Sequence, residues 1–252
     1  MELTVTAFLI VCPLIFLASF VDAVAGGGGL ISLPAYFLAG VPIHNAIATN
    51  KLSSAAGTCI STWRFCKNKY ADLRLAIPSV LVALAGSALG ANIALITSDK
   101  ILKITLLAVL PVAAFYVFRS KDMERKSSVP IKGKAKYAIV ITASFVIGAY
   151  DGFYGPGTGT FLILIYTGMA RMDIKTAAGN TKLVNLASNM AALATFLLHG
   201  KIIFPLGLAA SVFSIAGHYL GSGMVMKNGT KIVRPIILAV LALLFIKIIT
   251  GM

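Results

Sequence analysis

Apolar residues gather into long runs along almost the whole chain, parted by short stretches that are polar, glycine-rich or basic. The runs cover 4–24, 30–39, 44–62, 75–97 and 101–118, then 137–149, 160–170, 176–198, 202–226 and 232–249. Most reach the ~20 residues that a helix needs to cross ~30 Å of hydrocarbon. The second run in each group of five does not, because ~10 residues at ~1.5 Å each span only about half the core. These short runs follow Gly26-Gly27-Gly28-Gly29 and Gly155-Pro156-Gly157-Thr158-Gly159. Glycine and proline beside unusually short segments, at corresponding places, predict discontinuous helices of the kind that line a solute site within a bilayer.

The two groups of five are copies of one unit. Gly86 and Gly90 match Gly217 and Gly221 at a separation of 131 residues, Lys51-Leu52 matches Lys182-Leu183, and Lys100 to Lys103 matches Lys231 to Arg234 in the same register. Asp22 and Gly26 match Asp151 and Gly155 at 129, so two residues are inserted between this anchor and the others in the second copy. The predicted organisation is a first transmembrane repeat over 1–120, a basic cytoplasmic linker over 121–135 and a second transmembrane repeat over 136–252. The fold class is an all-α integral membrane protein of about ten hydrophobic segments, two of them short or broken, with eight to ten transmembrane helices.

Charge bears on the topology. If the short segments cross, each half has an odd number of crossings and the halves are inverted. The basic clusters from Arg64 to Arg74 and from Arg119 to Lys136, with Arg171, Lys175, Lys227, Lys231 and Arg234, then share one side, as cytoplasmic loops do. If the short segments are re-entrant, the cluster from Lys227 to Arg234 falls outside. The charge pattern favours ten crossings and inverted halves, although Lys100 and Lys103 then face away from their counterparts.

Composition agrees with a bilayer as solvent: 58% of the 252 residues are hydrophobic, 12% are charged, and the mean hydropathy is +0.92. The formal charge of +14 would suggest nucleic acid in a soluble protein. Here the basic residues sit in loops without interleaved aromatic platforms, which excludes that partner. Cys12, Cys59 and Cys66 form no paired framework and read as small core residues. The first run resembles a signal peptide near Ala23-Val24-Ala25, but it recurs in mid-chain, where no signal peptide can be. The expected location is a bacterial cytoplasmic membrane; the oligomeric state is open, a homodimer included.

Ionisable residues inside apolar spans cost about 2.5–3.5 kcal/mol on insertion scales and mark pathways. Lys51 and Lys182 both fall inside the third run of their half, flanked by Thr49, Asn50, Asn180, Thr181, Asn185 and Asn189. Two lysines related by the repeat would converge on its axis and present positive charge to a small anion. The alternatives are snorkelling to an interface or pairing with an aspartate of the same half. Asp22 and Asp151 recur likewise, as proton carriers or as counter-ions. The backbone at Gly27, Gly28, Gly157 and Thr158 offers N–H groups to an anion. Gly86, Gly90, Gly217 and Gly221 are spaced as helix-packing positions. His44, His199 and His218 have no metal-ligand spacing and no counterpart in the repeat, and read as core or interfacial residues. No cofactor, metal or catalytic triad is expected.

The reading is a secondary transporter for a small anion, not an enzyme. A channel would need a continuous polar path. A membrane scaffold would show solvent-inaccessible lysines, each locked to an aspartate, with no cavity between the halves.

The repeated Asp, glycine-run and Lys-Leu pattern resembles the TauE/SafE family of sulfite and organosulfur-anion transporters, also called the 4-toluene sulfonate uptake permeases, and within it the YfcA-like subgroup. The resemblance spans nearly the whole chain and is most specific over 20–52, over Gly148 to Gly159, and through Asn180-Thr181-Lys182-Leu183. It implies a multi-pass bacterial inner-membrane transporter without a nucleotide-hydrolysing partner. Many members have Gly-Thr-Ser-Leu where this chain reads Thr49-Asn50-Lys51-Leu52 and Asn180-Thr181-Lys182-Leu183. The two added lysines favour a more highly charged anion unless Asp22 and Asp151 neutralise them.

Overall fold

The computed structural model describes residues 4–102, 104–105, 131 and 133–228. The fifth run of the first half lies mostly outside this range, and that of the second half entirely, as does most of the 121–135 linker, whose last two residues belong to the helix that follows. Among the described residues the chain is helical throughout, without strands. The first half gives α1 (Val5–Ala25), α2 (Gly29–Leu38), α3 (Ile43–Lys67) and α4 (Leu73–Ile96). The second gives α5 (Lys134–Phe153), α6 (Thr158–Gly168), α7 (Ile174–Leu198) and α8 (Phe204–Asn228).

Local chemistry sets the boundaries. The Asp72 carboxylate accepts the Arg74 N–H and the Asp173 carboxylate accepts the Thr176 N–H, capping α4 and α7. Gly26 closes α1 in the left-handed region at φ 76°. Helices α2 and α6, at 10 and 11 residues, are about 15–17 Å long and are the expected short segments. Two limits differ from the apolar runs: α3 continues to Lys67 and α5 to Phe153. Backbone hydrogen bonding, rather than hydropathy, ends a helix, so Asp151 sits in the last turn of α5, which Tyr154 N–H closes on Tyr150 C=O at 2.8 Å.

Among the described residues four helices, α1, α4, α7 and α8, are both long and apolar enough to cross a membrane. Helices α3 and α5 have the length, 25 and 20 residues, but carry Lys51, Arg64 and Lys67, and Lys134, Lys136 and Asp151. Large apolar side chains stay uncovered along the helices, for example Leu9, Ile77, Leu81, Leu208 and Val212, as lipid-facing positions require.

The halves pack reciprocally. Helix α1 lies against α8 as α5 lies against α4, α3 packs on α8 as α7 packs on α4, and α3 meets α7. A Cβ on Gly86 or Gly90 would strike the α5 backbone at Phe145 or Ala149, and one on Gly217 or Gly221 the α1 backbone at Phe16 or Phe20, so these four are helix-packing positions. Left-handed backbone recurs at matched places: Gly26 and Gly155, Gly40 and Arg171, Lys69 and Gly200. The central apolar cluster draws on both halves, with Val24, Leu33, Ile47 and Phe65 beside Tyr154, Leu164, Ala178 and Phe196.

Candidate functional site

The two glycine breaks meet. A methyl group on Gly26 would lie 2.2 Å from the Gly159 carbonyl carbon, so no side chain fits at this crossing. The contact is sealed by Thr160, whose N–H donates to Gly26 C=O at 3.2 Å and whose hydroxyl donates to Ala25 C=O at 2.8 Å. The ends of α1 and α5 and the starts of α2 and α6 are thereby gathered at one depth, where both repeated aspartates stand.

Each lysine reaches an aspartate of the opposite half. Lys51 Nζ lies 3.0 Å from Asp151 Oδ1 and donates to Asn189 Oδ1 at 3.0 Å. Lys182 Nζ lies 2.8 Å from Asp22 Oδ2 and also donates to the Asp22 carbonyl. The lysines are 2% and 0% exposed, so neither snorkels. Asp151 also accepts the Thr158 hydroxyl at 2.9 Å and the Ser188 hydroxyl. Asp22 accepts the Gly28 N–H at 3.3 Å, with His218 Nε2 at 3.7 Å. Removing one partner of such a buried pair costs about 3–5 kcal/mol, because the other charge is stranded in low dielectric.

The remaining sequence candidates divide. Thr49 Oγ1 accepts the Ile203 N–H at 3.0 Å and Asn180 Oδ1 accepts the Asp72 N–H at 2.8 Å, matched bonds that tie α3 and α7 to the other half's loops. Asn50 Oδ1, Thr181 Oγ1, Asn185 Oδ1 and the Asn180 amide nitrogen are buried without hydrogen-bond partners among the described residues. Gly157 starts α6 at φ 82°, and Gly27 C=O accepts the Leu30 N–H at 3.1 Å.

A small cavity of about 20 Å³, room for about one water, lies beside Asp22 and is bordered by Gly28, Ser32, Asn50, Ser54 and His218. His218 belongs to the second half and the others to the first, so the cavity lies between halves. The lysines are ion-paired and inaccessible, as a scaffold would have them, and the cavity between the halves is small. Ser32 and Ser188 are not among the sequence candidates, and His218 reads there as a core or interfacial residue. Comparing the repeats position by position would have exposed Ser188 opposite Gly57 and His218 opposite Ser87.

The model of the family described as "Sulfite exporter TauE/SafE" matches residues 11–248. A similar protein is the "Probable membrane transporter protein ORF9" of Sinorhizobium sp., 34% identical over 247 residues, which cover 96% of this chain and 92% of that one. Another is the "Probable membrane transporter protein" of Haemophilus influenzae, 34% identical over 88% of this chain and 86% of its own. A third is the "Probable membrane transporter protein YfcA" of Escherichia coli K12, 32% identical over 92% and 86%. No solved structure matches the chain.

Proposed function

The chain belongs to the TauE/SafE family of membrane transporters, and from that premise we propose that it is a secondary transporter carrying a small anion across the bacterial cytoplasmic membrane by alternating access. The family's sulfite-exporter description directs attention to sulfite and organosulfur anions. The observation that carries the proposal is the crosswise pairing of Lys51 with Asp151 and Lys182 with Asp22 at the crossing of the glycine breaks. Both bonds join one half to the other, so rocking the halves apart strands four buried charges at several kcal/mol each. An anion that takes over a lysine offsets this cost, and a proton on the released aspartate keeps the site neutral. Bound solute therefore lowers the barrier that holds the empty carrier in one state, which couples movement to binding.

In this reading the halves, 1–120 and 136–252, are inverted repeats with ten crossings, and the 121–135 linker is cytoplasmic. Thr181, Asn185 and the backbone at Gly27, Gly28, Gly157 and Thr158 supply hydrogen bonds to the solute along its path. Thr49, Asn50 and Asn180 stand beside them in the third helix of each half.

Purified protein, in detergent and in proteoliposomes, tests this with sulfite, sulfate, thiosulfate and organosulfonates. At least one anion is expected to raise the melting temperature and to be taken up, with both effects lost in Lys51→Gln and Lys182→Gln. A well-folded protein that neither binds nor moves any of them overturns the anion reading.

A further inference from the structure

Helices α5 and α6 leave an apolar hollow between them on the outside of the second half. Its volume is about 450 Å³, and it is bordered by Ala138, Thr142, Ala143 and Val146 of α5 and by Ile165 and Met169 of α6. Val146 and Met169 are 54% and 52% exposed, so the hollow opens outward from the bundle. From Ala138 to Ile147, also on its wall, α5 advances by about 14 Å. That is half of a ~30 Å hydrocarbon core. The other wall, α6, has 11 residues and likewise covers one half only. The hollow is therefore one leaflet deep.

The repeat shows that it belongs to the second half by sequence. At the offset of 129 that relates Asp22 to Asp151, Leu9, Leu14 and Leu17 of α1 stand opposite Ala138, Ala143 and Val146. The first half thus has larger side chains at three places where the second is hollow. The same offset sets Val5 and Ala7 opposite Lys134 and Lys136. Lys134 lies four residues before Ala138, and Lys136 three before Ile139, so each stands one helical turn above the wall of the hollow. Lys134 is exposed, Lys136 is half-buried, and neither has a carboxylate partner among the described residues. Lys67 and Lys175, by contrast, each lie 5.1 Å over an aromatic ring, of Trp63 and Tyr70. Tyr137, between the two cations and one before Ala138, donates its hydroxyl to the Arg74 carbonyl at 3.3 Å, which ties this end of α5 to the basic end of α4. The charge pattern assigns that end to the cytoplasm.

Depth and charge together select an occupant. The chain's own run 101–118 is about 27 Å long as a helix, twice the depth of the hollow, and holds no carboxylate to meet the two lysines. A full membrane helix of a second copy is likewise too long. An acyl chain of one leaflet has the right reach, and its headgroup arrives at the level of the cations. Basic pockets at the cytoplasmic ends of membrane helices take anionic headgroups. We propose that the hollow is a binding site for an anionic phospholipid, with one acyl chain along α5 and the phosphate between Lys134 and Lys136. The lipid fills the space beside α6, the short helix that leads out of one glycine break. The site stands apart from the crosswise ion pairs and does not depend on the carrier reading.

Full-length protein, stripped of lipid in detergent, is titrated with phosphatidylglycerol and with phosphatidylethanolamine of the same chains, and bound lipid is counted by native mass spectrometry. One retained phosphatidylglycerol is expected, at about thirtyfold preference, the factor that two cations near a surface give an anionic headgroup. K134V/K136A, which copies the first half, should abolish the preference. A138L/A143L, which copies it too, should cut retention about tenfold with both lysines in place, and Val146→Trp blocks the same hollow if the leucine variant does not fold. Equal retention of the two lipids by the unaltered protein, or retention untouched when the hollow is filled, overturns the proposal. A dimer that dissociates in A138L/A143L would assign the hollow to a second copy and overturn it as well. Inorganic phosphate that displaces the lipid would reduce the site to a headgroup contact and overturn the place of the chain.

Discussion

The Lys182 ammonium lies 2.8 Å from the Asp22 carboxylate across 160 residues of chain, and Lys51 holds Asp151 at 3.0 Å in the reverse sense. Each half contributes one base and one acid, and neither closes its own charges. All four are therefore neutralised at the interface between the halves, beside the glycine crossing at Gly26 and Gly159.

Breaking one pair from one side should be costly. Lys182→Met leaves the Asp22 carboxylate with a backbone N–H and an imidazole, and a loss of about 3–5 kcal/mol is expected. The double variant Asp22→Asn/Lys182→Met removes both charges and should recover most of that loss. Unfolding followed in detergent decides it: a double variant no more stable than the lysine single would show that the ion pair does not govern local stability.

The crossing of the glycine breaks separates two costs. Gly40 has φ 73° and open space around it, so Gly40→Ala should cost about 1–2 kcal/mol for the left-handed backbone alone. Gly26→Ala adds a collision with the Gly159 backbone and should cost about 2–5 kcal/mol. Equal melting temperatures for the two variants would mean that the breaks are not in close contact.

The repeat, the helices and the identity of the four charged residues were legible because each leaves a local mark: an apolar run, a register, or a polar residue where none is tolerated. The partner of each lysine was not. Both halves hold an aspartate about 30 residues ahead of the lysine (51 − 22 = 29 and 182 − 151 = 31), so the sequence does not distinguish pairing within a half from pairing across halves. Thr49 and Asn180 were read as solute ligands because they flank the lysines, yet their oxygens accept backbone N–H groups of Ile203 and Asp72. His218 reads only as a core or interfacial residue in the sequence, because the room its ring occupies is left by Gly57, and a missing side chain is visible only when the repeats are compared residue by residue.

Those two backbone bonds make a paired test of the reciprocal packing. Thr49→Val strands the Ile203 N–H, and Asn180→Ala strands the Asp72 N–H. Each should cost about 1–3 kcal/mol, and the costs should add in the double variant, since the bonds share no partner. A substantial loss from one and none from the other would break the equivalence of the two loops.

Membrane sidedness separates inverted halves from parallel ones. Asn68 and His199 are the exposed C-cap residues of α3 and α7 and hold matched positions in the repeat. With ten crossings an odd number lies between them, so they face opposite sides. With re-entrant α2 and α6 the number is even, and they share a side. Arg64, Lys67, Lys69 and Arg74 surround Asn68, which assigns it to the cytoplasm. On a cysteine-free background, Asn68→Cys should react with an impermeant maleimide only in inside-out vesicles, and His199→Cys only in right-side-out ones. Labelling of both from one side would remove the inversion. A rocking motion about an axis in the membrane plane would then lose its basis, whereas the crosswise ion pairs, being contacts within the fold, would stand.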